Sequence, residues 1–333
     1  MENFVQSHTP FQEMAHGSDN YEALKDKTVL VTGGDQDQCR KIAEMWVTRA
    51  LTRSLLTIQR YGFKNVVTPG DILMAHPKIW PFNLIWTDYY SKTARPLPAP
   101  IDPKNLSESL KIDAVFIFND PRDWALDSQI ILDLLLSSQG ILGTYSEKNG
   151  DKTLPNNGWQ QDGQPALIFS NPDLFWAAAY HMPRLGQGGF RAALEGVWKD
   201  TTDGAYLEKK VIGKPYPETY AFAERVLQKH RAELLGRNFD NISKLHRVFM
   251  VGDNPESDIR GANEFNSPNG TEWCSVLVKT GVYRDGSIPK YEPKSIVDDV
   301  LAAVKWALEK EGYDHDLDSL KHDTPPTGIP PTS

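Results

Sequence analysis

Short apolar runs alternate with longer amphipathic stretches along most of this chain. The apolar runs are typical of buried β-strands, and they lie within residues 27–34, Asp113–Phe118, Ala166–Phe169 and 247–251. Between Trp124 and Ser137, apolar residues recur at helical spacing, at positions 126, 130, 131, 134 and 135. This alternation of strands and helices predicts an α/β protein whose sheet is mostly parallel.

The remaining elements follow from the same patterns. Further helices are predicted at 188–198, 217–235 and 296–310, and further strands at Val66–Val67 and 274–278. The Pro-rich stretch 91–107 and the polar stretch 143–164 are predicted to be loops. The tail from Tyr313 onward ends in a Pro-rich segment, and we expect it to be disordered.

Composition and charge narrow the classes of function. Hydrophobic residues make up 40% of the 333 residues and charged residues 24%, which is typical of a folded, soluble protein. The formal net charge is −8 without a Lys/Arg run, so nucleic acid is not an expected partner. Since no apolar run approaches the ~20 residues of a membrane span, no membrane span is expected. Cys39 and Cys274 are expected to be reduced thiols in an intracellular compartment.

The residues with the clearest chemical pattern follow the strand at 247–251. The strand runs into a Gly-Asp-Asn-Pro turn that contains Asp253, and Asp258 follows five residues later. Upstream, Lys214 stands in the sequence Val-Ile-Gly-Lys-Pro. Taken singly, such a lysine is usually a surface residue at a turn, and an acid after a strand usually caps a helix. At the carboxyl end of a parallel sheet, however, such side chains lie where ligands bind.

Lysine first, then a strand ending in paired acids, resembles the last two motifs of the haloacid dehalogenase-like (HAD) superfamily. Within it, residues 3–310 resemble subfamily IIA, the cat eye syndrome critical region family of hydrolases. The resemblance implies a HAD-like Rossmannoid parallel sheet with an inserted α/β domain, the C2-type cap. The implied domains are a core remnant and linker at 1–26, the cap at 27–180, the C-terminal half of the core at 181–312 and a tail at 313–333.

The resemblance also implies a chemistry, which is Mg²⁺-dependent hydrolysis of a small phosphorylated metabolite through an aspartyl-phosphate. Lys214 would pair with the nucleophile and the transferring phosphoryl group, Asp253 would be a Mg²⁺ ligand, and Asp258 would support the outer shell of the metal. Asn171 and Asp173, on the cap, would contact substrate; the alternative interpretation is that they form a simple turn after a strand. Members of this family are associated with mitochondria, although residues 1–16 lack the arginines of a presequence.

The chain departs from the family at its N-terminal side. The family motif of a strand followed by Asp-x-Asp-Gly, which carries the nucleophile, is not found in this sequence. We therefore expect little or no turnover, and the alternative function is a non-catalytic, HAD-derived binding or interaction protein. In the family, the strand of that motif lies beside the strand at Val248–Val251, so its absence predicts an unpaired apolar edge that lowers solubility.

Two other interpretations concern the segment Val-Leu-Val-Thr-Gly-Gly that ends at Gly34. Asp35 and Asp37 follow it as an Asp-x-Asp pair, but two glycines separate strand from acid and no glycine follows Asp37. The same segment could begin a dinucleotide-binding loop, which would need glycines where Asp37 and Cys39 stand. Both interpretations fit the sequence less well than the HAD resemblance does.

Overall fold

The computed structural model describes residues 27–32, 63–82, 86–283 and 286–313. The predictions about Asp35, Asp37 and Cys39 fall outside these residues, as do those for 1–26 and for the tail after 313. The chain divides into two compact units. The first comprises the chain up to Trp176 together with Arg184–Gly213, and the second comprises Ala177–Pro183 together with the chain from Lys214 onward.

The described residues contain strands and helices in alternation. The strands are β1 Thr28–Thr32, β2 Asn65–Val67, β3 Ala114–Ile117, β4 Ala166–Phe169, β5 Phe175–Trp176, β6 Arg184–Leu185, β7 Lys210–Val211, β8 Arg247–Gly252, β9 Glu272–Val278 and β10 Ser295–Val297. The α-helices are α1 Pro69–Ala75, α2 Thr87–Thr93, α3 Trp124–Leu136, α4 Gln187–Thr201, α5 Pro217–Leu234, α6 Arg260–Glu264 and α7 Val300–Lys310. None of the helices described is long and apolar enough to cross a membrane.

The first unit is built on a five-stranded sheet with the order β2-β1-β3-β4-β7, in which every pairing is parallel. Strand β3 is buried along its whole length, as expected for a strand in the middle of a parallel sheet. Helix α3 begins after Asp123, whose side chain accepts a hydrogen bond from the Leu126 amide. Its apolar face packs into the core; the buried residues are Leu126, Ile130, Ile131, Leu134 and Leu135. The predicted α/β fold with a parallel sheet is confirmed.

Two side-chain amides in the loop at 143–164 bind the backbone just before β7. Asn156 donates to the carbonyl of Tyr206 at 2.8 Å and accepts from its amide at 3.0 Å. Gln160 does the same with Glu208, at 3.0 and 2.7 Å. Each amide group thus satisfies one backbone N–H and one C=O, as a neighbouring β-strand would. We call Asn156 and Gln160 the amide clamp.

The second unit contains a three-stranded parallel sheet with the order β10-β9-β8. The predicted strands at 247–251 and 274–278 are present as β8 and β9, and the predicted helix at 217–235 is α5. The prediction of a helix from residue 296 is wrong for the first residues. Ser295–Val297 pair with β9 as a strand, and α7 begins only after Asp299, whose side chain accepts from the Ala302 amide at 2.8 Å.

The first unit extends past residue 180, the expected end of the cap, to Gly213. Helix α4 and strand β7 lie in the first unit, which continues to Gly213. The physical reason is strand pairing, because Lys210 and Val211 extend the first sheet by pairing with Ile168 and Phe169 of β4. The assignment of the two units to cap and core stays a prediction.

A buried carboxyl group joins β1 to α3 in the first unit. Asp127 is 1% exposed, and its Oδ2 accepts a hydrogen bond of 2.5 Å from the Thr32 hydroxyl. Its Oδ1 is buried and accepts no hydrogen bond from the described residues. Burial raises the pKa of Asp127 to about 7. The hydrogen bond from Thr32 lowers the pKa by less than burial raises it, and the nearby charge of Asp123 raises it slightly further.

A different environment surrounds Glu224 of α5 in the second unit. Its side chain accepts hydrogen bonds from Asn269 at 2.7 Å, Ser267 at 2.9 Å and Trp273 at 3.2 Å. Burial opposes ionisation of this residue, which is 2% exposed, but the hydrogen bonds outweigh it and hold the pKa of Glu224 below its ordinary value. The ionised Glu224 of α5 therefore holds the loop at 267–271 through these hydrogen bonds.

The pKa of Asp127 predicts that the first unit loses stability as pH rises. Between pH 4 and 7 the unfolded chain has released this proton while the folded chain keeps it, so the free energy of unfolding falls over that range. The substitution Asp127→Asn should remove this slope and raise the free energy of unfolding at pH 8 by on the order of 4 kcal/mol. Denaturant unfolding at pH 5 and pH 8 measures both effects. The exposed first-turn residue Asp88, changed to Asn, is the control, and parallel curves for wild type and D127N would contradict the prediction.

For Glu224 the expected pH dependence has the opposite sign. A lowered pKa gives stability that is present above the ordinary glutamate pKa and is lost as pH falls through the folded-state value. Glu224→Gln should lower the free energy of unfolding at pH 7 by about 1–3 kcal/mol, because its NH₂ group would face hydrogen-bond donors. The control is Glu264→Gln, which breaks an exposed ion pair with Arg260 and should change stability by less than about 1 kcal/mol. Equal losses in both variants, measured by urea unfolding, would refute the role of Glu224.

Candidate functional site

The candidate site lies where strand β8 ends. Strand β8 pairs with β9 through Gly252, and the chain then turns through Asp253 and Asn254. A single π-helical turn, Pro255–Ile259, follows and leads directly into α6. Wide turns of this kind are rare and occur frequently at functional sites. The carboxyl ends of parallel strands are also where α/β proteins bind ligands.

Asp258 is buried within this turn, with 2% of its side chain exposed. Its Oδ1 accepts a hydrogen bond from Lys214 Nζ at 2.5 Å, and its Oδ2 accepts one from the Asn254 amide at 3.1 Å. A buried carboxylate is costly unless it is paired and hydrogen-bonded, and both conditions are met here. The two residues that the sequence singled out forty-four positions apart are therefore in direct contact.

Gly252 makes room for Asp258. A Cβ atom at position 252 would lie 2.2 Å from Asp258 Cγ, which is far inside van der Waals contact. Any other residue here would push the Asp258 side chain away from its position beside the end of β8. The glycine at position 252 is thus needed for the ion pair.

Asp253 is held from the other side, by the loop that follows β9. Its Oδ2 accepts a hydrogen bond from the Val282 amide at 2.6 Å. Gly281 adopts a φ of +106°, and a Cβ atom there would lie 2.0 Å from the same carboxylate oxygen. Asp253 is half-buried, and its Oδ1 accepts no hydrogen bond from the residues described.

Lys214 stands just before helix α5 and precedes the cis bond to Pro215. Its side chain is 39% exposed, so the ammonium group is accessible from solvent although it is paired with Asp258. A lysine ammonium carries three N–H donors and can serve more than one acceptor. Such a group can attract an anion without leaving its carboxylate partner.

The carboxylate oxygens of Asp253 and Asp258 supply only some of the ligands that a hard divalent cation requires. Among the residues described, no group of three or more His, Cys, Asp and Glu side chains could hold a metal ion. Mg²⁺, however, commonly binds through one or two carboxylates together with water and substrate phosphate. Asp253 offers one carboxylate oxygen for such binding, whereas both oxygens of Asp258 are already engaged.

Asn171 and Asp173 follow strand β4 in the first unit. Asn171 Oδ1 accepts from the Asp173 amide at 2.9 Å, which closes a local turn, and the Asn171 amide donates to Gln187 at 2.9 Å. The carbonyl of Asp173 accepts from the Gly188 amide at the start of α4. Both side chains are half-buried. These contacts agree with the interpretation as a turn, and the predicted contact with substrate stays a prediction.

The sequence pattern indicates Lys214, Asp253 and Asp258 but not the residues that hold them in place. Gly281 and Val282 lie almost thirty residues after Asp253, and no local pattern connects them to it. Tyr220 donates its hydroxyl to the Ser257 carbonyl at 3.0 Å, within the turn that carries Asp258. A glycine after a buried strand, as at Gly281 after β9, was the available signal for a close approach.

Known proteins resemble this chain over most of its length. A cardiolipin synthase (CMP-forming)/mitochondrial hydrolase fusion protein of Schizosaccharomyces pombe is 37% identical over 311 residues, which cover 93% of this chain and 42% of the relative. The chain thus spans less than half of that relative. A mitochondrial hydrolase of Saccharomyces cerevisiae is 35% identical over 322 residues, covering 92% of this chain and 77% of the relative.

Solved structures and a family model also match this chain. A hypothetical protein of Pyrococcus horikoshii OT3 gives a TM-score of 0.40 at 17% identity, covering 86% of this chain and 71% of that protein. A possible sugar phosphatase of the HAD superfamily from Cytophaga hutchinsonii gives 0.31 at 14% identity, covering 88% and 94%. The family model described as HAD-hydrolase-like matches residues 211–303, which include Lys214, Asp253 and Asp258. Given this match and the yeast relative that aligns over most of both chains, the protein belongs to the HAD-like hydrolase family.

Proposed function

We propose that this chain derives from a phosphatase-type HAD hydrolase, one that acts with Mg²⁺ on a small phosphate ester through an aspartyl-phosphate. We expect little or no turnover from the chain itself, because the motif that carries the nucleophile is not found in its sequence. The observation that carries the proposal is the Lys214–Asp258 pair, whose carboxylate lies in the turn that begins with Asp253 at the end of β8. A cation and two carboxylates at the carboxyl end of a parallel sheet suit a phosphoryl group and its counter-ion. The residue that attacks phosphorus is not assigned within this chain.

Lys214 binds the phosphoryl group in this proposal. Its ammonium group is a compact charge that attracts phosphoryl oxygens, and these become the site of developing negative charge during transfer. Asp258 keeps Lys214 in place, since the buried carboxylate accepts from Lys214 through one oxygen and from the Asn254 amide through the other. The positive charge is therefore positioned before substrate arrives, and it needs no rearrangement when the phosphoryl group binds.

Asp253 would hold Mg²⁺ through the oxygen that accepts no hydrogen bond from the described residues, while Val282 fixes the other oxygen. When bound, the ion would offset the repulsion between the phosphate and the carboxylates around it. Asp258 would support the outer shell of the metal because its own oxygens are engaged with Lys214 and Asn254.

The first unit would be the C2-type cap, and the second unit would be part of the core. Asn171 and Asp173 would contact the substrate from the cap and so help to select which phosphate ester is used. One yeast relative is named a mitochondrial hydrolase and the other a fusion of cardiolipin synthase with a mitochondrial hydrolase, which supports a mitochondrial location for this protein. We also propose that the protein belongs to subfamily IIA of the HAD superfamily.

Replacing Lys214 tests the phosphoryl site. Lys214→Met keeps the length of the side chain but removes its charge, so binding of inorganic phosphate in the presence of Mg²⁺ should weaken at least tenfold by calorimetry. Hydrolysis of p-nitrophenyl phosphate, where the wild type shows it, should fall about 100-fold or more. Lys148→Met is the matched control, because Lys148 pairs with Asp162 at 3.2 Å in the first unit.

Phosphate binding and hydrolysis by the wild-type protein distinguish the proposed function from the alternative, a non-catalytic protein. Phosphate binding that depends on both Lys214 and Mg²⁺ would support the hydrolase site even with little or no hydrolysis. Phosphate binding that depends on neither would favour the alternative, a non-catalytic, HAD-derived binding or interaction protein. Wild-type protein that neither binds phosphate nor hydrolyses the ester would overturn the proposed function.

Removal of Mg²⁺ tests the role of Asp253. EDTA should abolish phosphate binding by the wild type, and added Mg²⁺ should restore it, because the counter-ion is needed beside two carboxylates. Asp253→Asn should need at least tenfold more Mg²⁺ for the same binding, since one charged oxygen ligand is lost. Asp240→Asn, on the exposed 3₁₀ turn of the same unit, should leave the Mg²⁺ requirement unchanged. Phosphate binding that is indifferent to EDTA would contradict the assignment.

A further inference from the structure

Tyr220 connects the lysine segment to the turn that carries Asp258. It lies in the first turns of α5, six residues after Lys214, and is 2% exposed. Its hydroxyl lies 3.0 Å from the carbonyl oxygen of Ser257, to which it donates, and 3.4 Å from that of Asp258. The Tyr220 side chain therefore connects helix α5, which follows Lys214 in the chain, to the backbone at Ser257 and Asp258.

The Tyr220 ring is fixed by packing, so the hydroxyl has little freedom. It packs edge-on against Trp273 with ring centroids 5.1 Å apart, and it stacks on Phe265 at 5.6 Å. Phe265 and Trp273 in turn contact each other edge-on at 5.6 Å. Aromatic contacts of this geometry stabilise the arrangement beyond the burial of apolar area alone.

Gly261 provides the space that the hydroxyl occupies. A Cβ atom at position 261 would lie 1.9 Å from the Tyr220 hydroxyl oxygen and 2.3 Å from the ring carbon that bears it. The backbone of α6 thus approaches the tyrosine as closely as a glycine permits. The hydroxyl also meets the π-helical turn Pro255–Ile259, where the widened spacing changes the ordinary helical hydrogen-bond pattern.

We propose that Tyr220 is a positioning residue, whose hydroxyl bond to the Ser257 carbonyl sets the Asp258 carboxylate against Lys214. Two links then join the same segments: the ion pair through side chains, and the tyrosine through the backbone. The hydroxyl itself has no part in binding phosphate. Its catalytic consequence rests on the proposed function, whereas its effect on the ion pair does not.

The variant Tyr220→Phe removes the hydroxyl and keeps the aromatic packing with Trp273 and Phe265. Loss of one hydrogen bond to the turn should raise the rate at which Lys214 is acetylated in the folded protein by about three- to tenfold. Mass spectrometry measures that rate with Lys279 as internal reference, because Lys279 pairs with Asp298 at 2.9 Å and has a similar exposed fraction, 33%. Asp258→Asn is the positive control, since it removes the charged partner of Lys214.

Thr271→Val is the matched negative control. It also deletes a hydroxyl that donates to a backbone carbonyl at 3.0 Å in the second unit, here that of Leu245. This variant should lose similar global stability but leave the Lys214 rate relative to Lys279 unchanged. Gly261→Ala displaces the Tyr220 hydroxyl without deleting it, and it should raise the Lys214 rate in the same direction as Tyr220→Phe.

The outcomes separate the positioning role from the proposed function. An unchanged Lys214 rate in Tyr220→Phe, or an equal rise in Thr271→Val, would overturn the positioning role. A selective rise in Tyr220→Phe, accompanied by at least threefold weaker phosphate binding in the presence of Mg²⁺, would support both. A selective rise in a protein whose wild type binds no phosphate would support the positioning role and count against the phosphatase-type function.

Discussion

A carboxylate that is removed from water must be compensated, and this constraint organises the second unit around Asp258. Lys214 and the Asn254 amide provide the compensation, one for each oxygen. The requirement extends to residues with no charge, because Gly252 leaves space beside the strand and Tyr220 holds the backbone of the turn. If Lys214 were lost, the buried charge would stay without a cationic partner, which is far more costly than the loss of an exposed ion pair.

The buried acids of this protein show that burial alone does not set the charge of a carboxyl group. Asp127 meets one hydroxyl donor and leaves an oxygen unsatisfied, so it stays protonated up to about pH 7. Glu224 meets three side-chain donors and remains ionised, although it is nearly as deeply buried. The number of donors that each group meets decides between the two states. The two units consequently respond to acid in opposite directions through these residues.

The sequence predicts much of the fold and indicates the charged residues of the site, because local patterns encode both. The apolar run of β8 and the spacing from Asp253 to Asp258 are visible within a dozen residues. Contacts between distant segments were not readable, as for Tyr220 with Gly261 or Asp253 with Val282. The pattern predicts a helix from residue 296 because the apolar residues of β10 adjoin those of α7, and only the pairing of β10 with β9 distinguishes it as a strand. The short strand β7 likewise exists through its pairing with β4.

The amide clamp has a consequence for how firmly the end of the first sheet is held. Strand β7 is only two residues long, and its pairing with β4 involves Lys210 and Val211 alone. Asn156 and Gln160, in the loop that leads into β4, bind the backbone just before β7, at Tyr206 and Glu208. Fraying of the sheet at β7 would have to break these four side-chain hydrogen bonds in addition to those of the strand itself. The clamp therefore makes this end of the sheet more resistant to local opening than a two-residue strand would be alone.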